Sequence, residues 1–338
     1  MIHVHMPSCQ FPGQKLCTFA PTEGFPDQID VFINPEDNTR FFSFGKHPVG
    51  TQSRVKCGAK EQNMDCFAIA NSGEKMSCDN IGDQCFCVEP STAHRKGQFG
   101  YIQTIANLMD APCGSKGRFP TLGVLEDGSP GLEVLMIGLG GGNIAQYLQS
   151  TCLNLLRMVV VETDLRVVRT AQTFFGLNFT ISENTDVTLA EESYAVVVED
   201  GGAAVHNTSP EGNRFDVVIV DCFVMHGIVP PACSSNTFVH DVEKILKPGG
   251  LVLPHVWKKQ EPELAKRYET VFGSVKKHDV PITTGLNFVL SANKKFTSDN
   301  AATQLRILKS AMRHIEILQY RSQKGMPLTN LQVTTHSI

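Results

Sequence analysis

The chain has 338 residues, is 41% hydrophobic and 19% charged, and carries a formal net charge of −4. That length holds one large domain or two modest ones around a buried core, and the acidic balance offers no basic patch for a nucleic-acid partner. No apolar run approaches the roughly 20 residues that span a bilayer, so no membrane partner is expected, and Met1-Ile-His-Val-His-Met-Pro lacks the basic-then-apolar pattern of a signal peptide.

Residues 1–97 are rich in Pro, Gly, Cys and Asp/Asn, with short β-like runs over 29–33, 40–44 and 66–70. They read as a small, irregular, β-rich domain. Eight of the eleven cysteines lie at or before Cys113. Crowding in a loop-rich segment suggests disulfides, with free thiols or a metal as alternatives. Cys85-Phe-Cys87 is the only close pair and no C-x₂-C is present, so no common zinc module fits. Cys57, Cys66, Cys78, Cys85 and Cys87 are expected close together, some of them paired. The rest of the chain should not need such cross-links, and Cys222 reads as a buried core thiol. Two sequons, Asn178-Phe-Thr and Asn207-Thr-Ser, are compatible with secretion; free thiols throughout would instead place the chain in the cytosol.

Apolar spacing predicts a helix over 99–109, with Tyr101 in its core-facing stripe. A connecting loop follows to 130. From 132 onward strands alternate with helices, as in a parallel α/β sheet. Strands are predicted at 134–137, 158–161, either 187–190 or (preferred) 195–198, 215–220 and 251–256. Helices are predicted near 142, over 165–175, 237–246 and 261–272, with Lys247-Pro-Gly-Gly250 stopping the third of these. An antiparallel pair over 275–280 and 287–290 and a helix over 301–320 complete the reading.

The most informative stretch is Glu133-Val-Leu-Met-Ile-Gly-Leu-Gly-Gly-Gly-Asn143. An apolar strand runs into a glycine turn and then a helix, so a ligand can lie against bare backbone and unpaired N–H groups. The next strand ends in Glu162, placed to accept hydrogen bonds from both hydroxyls of a ribose. Asp221 ends the fourth strand, at the edge where α/β ligands bind. His226 and His255 lie near that edge and are candidate general bases, although a lone histidine is more often structural.

A dinucleotide G-x-G-x-x-G would need glycine at Asn143. Gly138-Leu-Gly-Gly-Gly142 instead resembles motif I of class I S-adenosylmethionine-dependent methyltransferases. Glu162, Asp200-Gly201 and Leu246-Lys-Pro-Gly-Gly250 fall where that superfamily places its ribose acid, its adenine acid and its post-motif. The helix with Tyr101 and Phe215-Asp-Val-Val-Ile-Val-Asp221 resemble the spermidine synthase-like branch, in particular its methyltransferase-like proteins with G-L-G-G-G.

The resemblance covers about 98–293. It implies a Rossmann-like, seven-stranded methyltransferase sheet over 98–338, behind the N-terminal β-rich, Cys-rich domain. S-adenosylmethionine is the implied cofactor, held by Gly138, Gly140, Gly141, Gly142, Glu162, Asp200, Gly201 and Asp221. Asp221 and His226 are the implied catalytic residues, and no metal is implied. A homodimer is an expectation by analogy alone.

Aminopropyltransferases differ at two positions, with Asp where this chain has Gly141 and a second acid where it has Val224. A polyamine cation needs such carboxylates, because an unpaired buried ammonium is costly. The expectation is therefore a methyltransferase with an unidentified acceptor. A polyamine synthase and an inactive secreted binding protein on the same fold are the alternatives.

Overall fold

The computed structural model describes residues 14–34, 39–44, 53–56, 76–78, 100–114, 123–124, 130–182, 184, 187, 193–210, 212–224, 228–281 and 286–295. Met1–Lys294 forms one compact unit and Lys295–Ile338 a second. The helix expected over 301–320, the strand over 66–70, and Cys57, Cys66, Cys85, Cys87 and His226 lie outside the described residues.

Five N-terminal strands, β1 (Gln14–Phe19), β2 (Ile29–Asn34), β3 (Thr39–Phe44), β4 (Ser53–Lys56) and β5 (Met76–Cys78), form an antiparallel sheet ordered β4-β3-β2-β1-β5. Of these, β1, β4 and β5 escaped the sequence reading, which had too few apolar residues there to show a period. Phe19, Ile29, Val31 and Phe42 share one apolar core with Phe174 and Phe175 of the following α/β layers. Arg40 donates to the Phe174 carbonyl at 3.0 Å. Arg166 clasps Asp164 and reaches the carbonyls of Ala20 at 2.7 Å and Asp27 at 2.8 Å. Burying that guanidinium is tolerable because its donors are matched.

Helix α1 (Gly100–Met109) leads into the α/β layers. The second sheet holds β6 (Gly123–Val124), β7 (Pro130–Ile137), β8 (Leu155–Glu162), β9 (Thr180–Ile181), β10 (Tyr194–Val198), β11 (Phe215–Val220), β12 (Leu246–Trp257), β13 (Lys276–Asp279) and β14 (Asn287–Asn293). Its order is β13-β14-β12-β11-β7-β8-β10-β9, with β6 paired to β7. Removing the two-residue strands β6 and β9 leaves the seven-stranded sheet that the resemblance implied. Strands β10, β8, β7, β11 and β12 are parallel, and β14 and β13 run antiparallel at one edge. The third parallel strand is the preferred one, Tyr194–Val198. No helix among the described residues is long and apolar enough to cross a membrane.

The intervening helices are α2 (Asn143–Thr151), α3 (Leu165–Phe175), α4 (Gly201–Thr208), α5 (Asn236–Ile245) and α6 (Glu261–Phe272). Their ends follow from local chemistry. Asp164 caps α3 by accepting the Arg166 N–H, and left-handed Gly176 ends it. Ser235 caps α5 through the Phe238 N–H.

Two expectations need correction. Lys247-Pro-Gly-Gly250 does not lie outside the fifth strand. Leu246 already pairs with Phe215, and the ladder resumes at Leu251 opposite Val217, so these four residues bulge within β12. Within the bulge Lys247 turns inward, to Glu133 at 2.7 Å and Asp216 at 2.9 Å. Cys222, moreover, is not a core thiol. It is bonded to Cys233, and Cys113 to Cys152, so the α/β unit does carry cross-links. The 39-residue separation of Cys113 and Cys152 corresponds to a contribution between about 3 and about 4.7 kcal/mol through constraint of the unfolded chain.

Candidate functional site

The carboxyl ends of β7, β8, β10, β11 and β12 meet at one edge. After β7 the chain turns through Gly138, Gly140 and Gly142 at φ +88°, +54° and +74°, a region L side chains rarely adopt. Gly138 has a second reason to be glycine. A Cβ there would lie 2.2 Å from the carbonyl oxygen of Asp221. Gly138 also donates to the Val161 carbonyl and Asp221 to the Ile137 carbonyl, both at 2.8 Å. The turn is thus threaded between the ends of β8 and β11. Gly142 caps α2 without a side chain, leaving that helix's first N–H groups at the turn. Gly141 is buried in the same turn.

Glu162 ends β8 beside it. Its Oε2 accepts the Leu139 N–H and its Oε1 the Asp164 N–H, each at 3.0 Å. Burial pushes its carboxyl above the ordinary glutamate range, against the opposing pull of these N–H groups. The Thr163 N–H adds a third backbone contact, so of the roughly four acceptor sites of an ionised carboxylate about one remains for a ligand.

Asp200 follows β10, and Glu199 donates to the Glu162 carbonyl at 3.2 Å. The Oδ1 of Asp200 caps α4 through the Ala203 N–H at 2.9 Å. Gly201 is required by packing, since a Cβ would meet Ile137 Cγ2 at 2.4 Å. Asp200 therefore sits at the expected edge with a structural duty already in hand.

Asp221 is the centre of a cluster that the linear sequence conceals. Val220 pairs with Pro254 across the parallel β11–β12 ladder, so Asp221 and His255 are the next residues side by side. Asp221 Oδ1 lies 2.8 Å from His255 Nδ1. The Tyr101 hydroxyl, from α1, also bonds to Asp221, and burial and that carboxylate raise it well above the ordinary tyrosine range. The Tyr101 ring stacks on His255 with centroids 4.0 Å apart, and Phe223 meets the same imidazole edge-on at 4.9 Å. His255 is 4% exposed. Its Nε2 has no hydrogen-bond partner among the described residues.

The structure thus brings together the glycine turn, Glu162 and Asp221, adds Tyr101 and His255, and keeps Asp200 at the rim. In sequence Tyr101 reads chiefly as core, with contact to the substrate pocket as the alternative, and His255 as an isolated candidate base. The pairing of His255 with Asp221 was available only through strand register. The Cys222–Cys233 bond follows Asp221 directly and ties the loop after β11 to the turn before α5. Val224, in that loop, is exposed and donates its N–H to the Ile228 carbonyl.

Comparison with known proteins points the same way. The spermine/spermidine synthase domain family matches residues 124–296. An eEF1A lysine and N-terminal methyltransferase of Danio rerio is 32% identical over 128 residues, 36% of this chain and 17% of that protein. A homologue of that methyltransferase in Drosophila pseudoobscura pseudoobscura is 29% identical over 126 residues, again 36% of this chain and 17% of the relative. The match therefore spans about a sixth of the length of these curated relatives. Among solved structures, a probable spermidine synthase from Corynebacterium glutamicum shares the fold, with TM-score 0.54 and 16% identity over 83% of each chain.

Proposed function

The chain belongs to the spermine/spermidine synthase domain family, and within it we propose that it is an S-adenosylmethionine-dependent methyltransferase acting on an acceptor still to be identified. The observation that carries this is the glycine turn with Glu162 beside it, combined with Gly141 and Val224 where a polyamine site would need carboxylates. The residues present fit the donor. The left-handed turn and the N–H groups of α2 hold it by backbone. Glu162 keeps acceptor capacity for a ribose hydroxyl, and Asp200 keeps Oδ2 for the adenine amino group while Oδ1 caps its helix. S-adenosylmethionine supplies a methyl group already activated on a sulfonium, so positioning of the acceptor accounts for much of the rate.

Replacing Glu162 by alanine is expected to weaken S-adenosylhomocysteine binding by about 1–3 kcal/mol, read by calorimetry. Unchanged affinity would show that the carboxylate does not hold the ribose. Because its carboxyl is raised by burial, affinity should decline on acidification sooner than an ordinary glutamate would allow.

Asp221 is retained from the aminopropyltransferase pattern and favours a second reading. Polyamine product from decarboxylated S-adenosylmethionine with putrescine or spermidine would put that reading first. Location outside the cell is a further proposal. Two disulfides and two exposed sequon asparagines, Asn178 and Asn207, support an oxidising compartment.

A further inference from the structure

Buried polar atoms almost always find partners, and an orphan calls for an explanation. The site edge holds one at His255 Nε2, in a histidine 4% exposed and held on its other side by Asp221. The carboxylate can only accept, so Nδ1 carries a proton and the neutral imidazole has its lone pair on Nε2. Tyr101 and Phe223 fix the ring plane. The dyad borders the donor turn, because the Asp221 backbone is what excludes a Cβ at Gly138.

We propose that His255 is the residue that takes the acceptor's proton, with Asp221 and Tyr101 as its positioning residues. This rests on the methyltransferase reading and goes beyond it by naming the base. His255 Nε2 removes the proton of the acceptor's N–H or O–H group. The acceptor's lone pair bonds the methyl carbon as the carbon–sulfur bond breaks, and the sulfur leaves as a neutral thioether. The positive charge that was on sulfur ends on the imidazolium, paired with the Asp221 carboxylate. The proton then passes to solvent. Such a dyad needs no second acid at Val224.

The test needs no acceptor. Sinefungin is an analogue of the donor with an amine-bearing carbon in place of the methylsulfonium. It sets an ammonium where methyl and acceptor meet. Wild-type protein should bind sinefungin about 10- to 100-fold more tightly than S-adenosylhomocysteine near pH 8, as a charged hydrogen bond provides. His255→Asn keeps a donor for Asp221 but deletes Nε2. It should reduce that ratio at least about tenfold, with S-adenosylhomocysteine still bound.

Effects of Glu162 act on both ligands and cancel in the ratio. A ratio unaffected by His255→Asn, with S-adenosylhomocysteine still bound, overturns this proposal alone. Failure of wild-type protein to bind S-adenosylhomocysteine overturns the methyltransferase reading as well.

Discussion

Replacing Lys247 by alanine is expected to destabilise the fold by about 3–5 kcal/mol, because it strips a buried ion cluster of the ammonium that bridges it. Lys247 is buried and bridges Glu133 and Asp216, and Asp216 Oδ2 also accepts the Glu133 N–H at 2.8 Å. Without the ammonium, two carboxylates face each other with little water. Against a total stability of about 5–15 kcal/mol, that is a large share. Burial already raises the Asp216 carboxyl above its ordinary range, and Lys247 holds it down. A carboxyl with a raised folded pKa favours the fold below its unfolded value, and this contribution is lost as pH rises through the folded one. The deficit of the variant should therefore be largest near neutral pH and shrink on acidification. Urea midpoints at neutral and mildly acidic pH measure it. A loss under about 1 kcal/mol at neutral pH would be the worth of an exposed pair and would contradict the buried geometry. The cluster sits at the amino ends of β7 and β11, so ligand affinity of the folded fraction should not change.

Gly138→Ala is expected to have a comparable effect at the opposite edge. The new methyl would sit 2.2 Å from the Asp221 carbonyl oxygen and 2.8 Å from its carbon, both backbone atoms. Its φ of +88° is a second penalty. Strain of about 1–3 kcal/mol for the dihedral adds to about 1–3 kcal/mol for overpacking. Relief requires β7 and β11 to part, which moves Asp221 away from His255 and opens the turn. Stability by urea and S-adenosylhomocysteine affinity by calorimetry should both fall. Full affinity in a folded Gly138→Ala protein would show that the turn does not hold the donor.

The sequence made the α/β layers legible because burial on both faces leaves long apolar runs such as Met158–Val161, and because glycine and acid punctuate them at fixed places. Glu162 and Asp221 were visible as acids ending such runs. His255 was visible as a residue but not as a partner. It is 34 positions from Asp221 and meets it only through the β11–β12 register. Tyr101 was hidden for a similar reason, since a helix stripe shows which side is buried without showing what lies beneath. Lys247 read as part of a turn, and nothing in Lys-Pro-Gly-Gly signals two carboxylates from other strands. The Cys222–Cys233 bond is not legible in the sequence, because loop closure depends on which ends the fold brings together.

The central claim is that the turn from Gly138 to Gly142, with Glu162, holds S-adenosylmethionine. Titration of S-adenosylmethionine and S-adenosylhomocysteine into folded protein, followed by calorimetry, tests it most directly. Saturable binding of both at one site per chain, at sub-millimolar concentration, is the predicted result. No heat of binding with either ligand at millimolar concentration, in a sample shown to be folded, would contradict it.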